Sequence, residues 1–188
     1  MHMLPGQDPV SQITIVPRGQ AGGMTISLPE EDRSYLSKRY MEDRIVGLLG
    51  GRVAEQLCLG DISTGASNDI QRATSLAKHM VTLYGMSDEL GLMATASIQS
   101  QYLDGQAHMD CSQETAYKVD MAVQNILNQC YADAKRILTE NRALLDEISE
   151  FLLVKETITG DELMAYVNAD KNRLPEAEIP ATEETAEE

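Results

Sequence analysis

Ser63–Gly91 reads STGASNDIQRATSLAKHMVTLYGMSDELG. Within it Ile70, Ala73, Ala77, Met80, Val81 and Tyr84 recur at i, i+3, i+7, i+10, i+11 and i+14, the 3.6-residue period of an amphipathic helix that Gly85 stops. Asn68 and Asp69 fall directly before this stripe, so Asp69 stands at a helix N-terminus. A carboxylate there has two uses. It caps free N–H groups and meets the positive end of the helix dipole, or it is held rigidly toward a metal ion.

The same periodicity extends outward in both directions. Upstream, Tyr40, Met41, Ile45, Leu48, Leu49, Val53 and Leu57 mark a helix over Lys38–Leu59, ended by Gly60. Its interior holds Gly47, Gly50 and Gly51, each costing ~1 kcal/mol relative to Ala, a cost that implies close packing by another backbone. Downstream, one helix is expected from about Ser112 to Leu138 and another from about Asn141 to Val154. A short last helix opens on Thr159-Gly160-Asp161-Glu162, a T-x-x-E capping box. Ahead of all of them, Ile13–Val16 and Met24–Leu28 are β-type runs around a Pro17/Gly19/Gly22/Gly23 turn cluster. The expected fold is mainly α: a helical bundle with one small β-hairpin element and no sheet beyond it. Residues 92–111 show no period and form the longest irregular connection.

Composition narrows the function. The 188 residues hold no Trp, one Phe and ten Met, which suits a core of aliphatic and thioether side chains between helices. The net charge of −15 opposes binding to nucleic acid or to an anionic membrane surface. Six of those charges are the glutamates of PEAEIPATEETAEE, so residues 169–188 read as an acidic, disordered tail. Three cysteines without CxxC spacing give neither a disulfide framework nor a thiolate zinc site; Cys58 and Cys130 fall on apolar stripes and read as core. No apolar run approaches the ~20 residues needed to span a bilayer, so the chain as written reads as cytoplasmic and soluble.

Histidine chemistry is sparse. His79 reads as a solvated residue on the helix flank, with a ligand role as its alternative; His108 falls in the irregular connection, and His2 beside the terminus is uninformative. H-E-x-x-H, which sets two imidazoles and a basic carboxylate on one helix face, does not occur in the sequence. Nor does a GxxxxGK[ST] phosphate loop.

Three longer stretches carry a resemblance: PGQDPVSQITIVPRGQAGGMTISLPEEDR, then LLGGRVAEQLCLGDISTGASNDIQRATSLAKHMVTLYGMSDELG, then SQETAYKVDMAVQNILNQCYADAKRILTENRALLDEISEFLLVKETITGDEL. Together they resemble the peptidase domain of FtsH-type ATP-dependent zinc metalloproteases, with GGRxAE followed by STGASNDI as the most specific signature. The resemblance implies a peptidase domain over residues 1–168. In the family the H-E-x-x-H helix lies immediately upstream of the segment matching Met1–Val10, and the Asp of GASND, here Asp69, completes the zinc ligands. It further implies protein substrates, unfolded or membrane-embedded, a homo-hexamer, and ATP used only by a separate ATPase module. Intact relatives are membrane-anchored, with the protease facing the cytoplasm, matrix or stroma. The chain is thus expected to be an N-terminally truncated peptidase domain, inactive alone, with apolar surface uncovered where the metal-binding helix would pack. The alternative is a non-catalytic helical scaffold that co-assembles with an intact protease.

Overall fold

A computed structural model describes residues 4, 7–17, 19, 22–28, 35–98, 107–109 and 111–171. Three helices make the main core. The first, α1 (Lys38–Leu59), starts where Ser37 leaves the helix at extended φ/ψ and its hydroxyl accepts the Tyr40 N–H at 3.2 Å. It ends at Gly60, whose φ of 69° reverses the chain at no Cβ cost. Met41, Ile45, Leu49 and Val53 seal it against α2 (Ser67–Thr82) and α3 (Gln113–Glu140). The two partners answer with Ala73, Ala77, Met80 and Val81 from α2, and Val119, Val123 and Cys130 from α3. Ile45, Val53, Met80 and Val81 are wholly enclosed, and burial of a side chain of that size contributes ~1.5–3 kcal/mol. The ends of the α2 stripe depart from the period: Ile70 and Tyr84 are exposed, because they flank the turns at which the helix leaves the core. Gly85, at φ 60°, carries the chain away while the Met86 N–H returns to the Met80 carbonyl at 2.9 Å.

A second, smaller core is built on a sheet. β1 (Val10–Thr14) and β2 (Met24–Ser27) form the expected hairpin, but β1 also pairs antiparallel with β5 (Thr157–Thr159), giving the order β2-β1-β5. The sheet therefore extends beyond the Ile13–Leu28 region. Three residues are too few to show alternation, yet Ile158 is fully buried opposite Ile13, and the Thr14 and Thr157 hydroxyls meet at 2.8 Å. The strand follows α4 (Arg142–Lys155) through Glu156, at φ 61°, and leads into α5 (Gly160–Lys171). The capping box is formed: Glu162 accepts the Thr159 N–H at 3.0 Å, and the Thr159 hydroxyl accepts the Glu162 N–H at 3.4 Å. Val10, Ile158 and Leu163, with Ile148, Phe151 and Leu152 against them, close this core.

Other expectations need correction. The 92–111 connection is not wholly irregular, since β3 (Ala96–Ile98) pairs antiparallel with β4 (Ala107–Met109). Cys58 lies in the last turn of α1 and is exposed; Cys130 is buried, and desolvation pushes its thiol pKa to about 12. Helix α5 ends at Lys171, and residues 172–188, most of the expected acidic tail, lie outside the described residues. No helix among the described residues is long and apolar enough to cross a membrane.

Gly160 is the point where this fold tolerates least. A Cβ there would fall on the Val10 carbonyl oxygen, a backbone atom held by the sheet. Gly160→Ala is therefore expected to destabilise the chain by ~1–3 kcal/mol through forced displacement of β1 from α5, measured by urea denaturation. An unchanged midpoint would show that the approach of α5 to β1 relaxes freely.

Candidate functional site

The first turn of α2 sets where Asp69 stands. Residue Ala66 occupies the N-cap position and makes no side-chain cap, while the turn is closed by backbone: Ser67 N–H to the Thr64 carbonyl at 3.1 Å and Ile70 N–H to the Ala66 carbonyl at 3.0 Å. Asp69 lies inside the helix in its first turn, not at the cap. Its half-buried carboxylate takes no hydrogen bond and no ion pair from any described residue. The carboxylate stands at the positive end of the α2 dipole, which favours negative charge there.

The turn ahead of it is fastened from α1. The Arg52 guanidinium donates to the Ser63 carbonyl at 3.0 Å, and the Ser63 N–H donates to the Glu55 carboxylate at 3.2 Å. The Ser63 hydroxyl donates to the same carboxylate and accepts the Gly65 N–H at 3.1 Å. Arg52 and Glu55 also pair with each other at 3.8 Å. The Ser63 hydroxyl, and then its backbone N–H, hold the Glu55 carboxyl below its ordinary range. Neither Arg52 nor Glu55 is singled out by hydrophobic periodicity. The signal was their i, i+3 spacing in GGRVAE, one helix turn apart on the side of α1 that meets the STGASN turn.

No described histidine joins this site. His79 is ten residues along α2 from Asp69, about 15 Å along the axis, so it does not share an ion with it. His108 belongs to β4, opposite Ser97, and His2 lies outside the described residues. Among the described residues no three His, Cys, Asp or Glu side chains come together to hold a metal. Asp69 is thus a single carboxylate outside any such group of metal-ligating side chains among the described residues.

A mainly helical body that presents such a carboxylate is, by its match to known proteins, a peptidase domain. More narrowly, the chain belongs to Peptidase family M41, whose profile it matches over residues 1–166. It is 45% identical over 173 residues to the ATP-dependent zinc metalloprotease FtsH of Bacillus subtilis (strain 168), covering 90% of this chain and 27% of that protein. Against the ATP-dependent zinc metalloprotease FtsH of Clostridium perfringens it is 45% identical over 183 residues, covering 97% and 26%. The ATP-dependent zinc metalloprotease FtsH 2 of Alkaliphilus metalliredigens is 46% identical over 162 residues, covering 85% and 24%. The chain thus spans about a quarter of the length of these relatives.

The clasp has a pH signature. Because the folded-state pKa of Glu55 is depressed, the stability it lends is present above its ordinary value of 4.5 and is lost as pH falls below that value through the folded one. Thermal melts of the chain and of Glu55→Gln are expected to differ near neutral pH and to converge as the pH drops below 4.5. A gap that stays constant down to pH 3 would mean that the Ser63 contacts do not depend on the ionised carboxylate.

Proposed function

We propose that these residues supply the carboxy-terminal body of an ATP-dependent zinc endopeptidase. In this reading Asp69 is the carboxylate ligand, and an H-E-x-x-H helix upstream of Met1, as in the family, supplies the two imidazoles and the carboxylate base. The observation that carries it is the Asp69 carboxylate, in the first turn of α2 and without a partner among the described residues, behind a turn that Arg52 and Glu55 hold through Ser63. Membership of Peptidase family M41 and the zinc metalloprotease activity of the relatives support the chemistry. A zinc bound there supplies Lewis acidity and a bound water of lowered pKa; the part of this chain is to hold one carboxylate in a set direction. The substrates are proteins, delivered by a separate module that uses ATP. The intact assembly is a membrane-anchored ring, a homo-hexamer with its peptidase face on the cytoplasmic side.

The 188 residues on their own hold neither zinc nor activity in this reading, since a catalytic zinc takes three protein ligands and Asp69 is one. Metal analysis of the purified chain and casein hydrolysis with and without ATP test this. Absence of both is expected, while stoichiometric zinc or chelator-sensitive cleavage would overturn it. Asp69→Asn is then read in two settings. In the chain alone it is expected to change stability by no more than about 1 kcal/mol, because Asn also suits the first turn of a helix. In the polypeptide completed upstream with the H-E-x-x-H helix and the ATPase module, it is expected to release zinc and abolish proteolysis, an amide being a far poorer partner for a dication. Zinc and activity retained in completed Asp69→Asn would remove Asp69 from the site.

A further inference from the structure

The two cores share no buried residue, and an open apolar groove of about 410 Å³ lies between them. The α1 glycines Gly47, Gly50 and Gly51 line one side of it, and Ile13 of β1, Ile148 of α4 and Leu163 of α5 line the other. A Cβ at Gly50 or Gly51 meets nothing within 4 Å, so the smaller core does not pack onto this face of α1.

The links between the two bodies are polar and sit at the two ends of α1. In its first turn the Tyr40 hydroxyl donates to the Asp8 carboxylate at 2.8 Å, and the Gln7 side-chain amide donates to the Tyr40 carbonyl at 2.9 Å, just before β1 begins. In its last turn the Arg142 guanidinium donates to the Leu57 carbonyl at 3.1 Å, one of the four carbonyls that a helix end leaves open. Asp146, one turn along α4, accepts the Nε–H of the same guanidinium at 2.9 Å and so directs it. These two attachments are about 25 Å apart along the α1 axis. Next to the second, α3 passes into α4 through a single non-helical residue, Asn141, at φ −112° and ψ 30°. The crossing from β2 to α1 includes residues 29–34, which lie outside the described residues.

We infer that the sheet, α4 and α5 form a clamp that opens from α1 as one unit. It turns at Asn141, is restrained there by Arg142 on Leu57, and is latched at the far end of α1 by Asp8 on Tyr40. A break of one residue between two helices is the kind of place where a hinge absorbs its change in φ and ψ. Opening parts a few hydrogen bonds and uncovers little apolar surface that the groove does not expose already, so it costs less than unfolding the main core. The Asp69 turn stays behind when the clamp moves, because Arg52, Glu55, Ser63 and Asp69 all belong to α1, α2 and the turn between them. The clamp therefore varies the width of the groove and leaves that carboxylate in place.

Native-state hydrogen exchange of the 188-residue chain, in a urea series well below its unfolding midpoint, tests this without any metal. The amides of Ile148–Leu152 in α4 and Leu163–Val167 in α5 should share one opening, with a lower free energy and a shallower urea dependence than those of Ile45–Val53 in α1. Tyr40→Phe, which removes the latch hydroxyl and keeps the ring, and Arg142→Ala should each quicken exchange in α4 and α5 by roughly three- to tenfold. Ile45→Val, which weakens only the main core, should quicken exchange in α1 by roughly three- to tenfold and leave α4 and α5 unchanged, since their opening keeps the main core folded. One common free energy for both sets of amides, with Ile45→Val moving both alike, would show that the chain opens only as a whole and would overturn the clamp. Unchanged α4 and α5 exchange in both latch variants would overturn the assignment of Asp8–Tyr40 and Arg142–Leu57 as what holds it shut.

Discussion

Everything in this chain hangs on α1 serving three neighbours at once. One face, through Ile45, Leu49 and Val53, is sealed against α2 and α3 and fixes the helix in the main core. A second side carries Arg52 and Glu55, which grip the Ser63 turn and so determine where α2 begins. The third is the glycine face over the groove. A helix with only one apolar stripe and a solvated back would have satisfied the first demand alone. The close backbone packing expected of the α1 glycines is not met among the described residues, since a Cβ at Gly50 or Gly51 meets nothing within 4 Å.

The clasp explains how a polar, exposed turn becomes an exact presenter of one side chain. Backbone hydrogen bonds alone leave a short turn free to fray, but here a guanidinium fixes a carbonyl while a carboxylate takes both the N–H and the hydroxyl of one serine. Charged partners make such bonds stronger than neutral ones. The pair sits on a helix that is rigid because its other face is buried. Asp69 follows this turn on a helix whose inner face is buried in the main core, and its carboxylate has no hydrogen bond or ion pair among the described residues.

Much of the fold was legible because helices advertise themselves over many residues. The stripes of α1 to α4, the Gly60 stop and the Thr159–Glu162 capping box each gave several agreeing signals. What escaped notice was short or long-range. β5 has three residues, and its partner β1 lies more than a hundred positions away, so no local pattern discloses the pairing. The β3–β4 pair is equally brief. Cys58 obeys the apolar period yet is exposed, because the period continues into the last turn of α1 after the core has ended. At the site, Asp69 was legible as a residue at a helix start, but whether it capped that helix was a matter of one residue in register. The clasp was invisible to periodicity because it joins two polar side chains to a turn through tertiary contact.

The central physical question is whether α1 orders the Asp69 turn in the absence of metal. Amide hydrogen exchange on the chelator-treated chain measures this directly. Ser63, Gly65, Ser67 and Ile70, whose N–H groups are all engaged, should exchange slowly in the wild-type chain. In Arg52→Ala/Glu55→Ala, Ser63 and Gly65 should lose that protection while Ile45 and Val53 in the core keep theirs. Free exchange at Ser63 and Gly65 in the metal-free wild-type chain would contradict the account, and would mean that the metal, not α1, organises the turn.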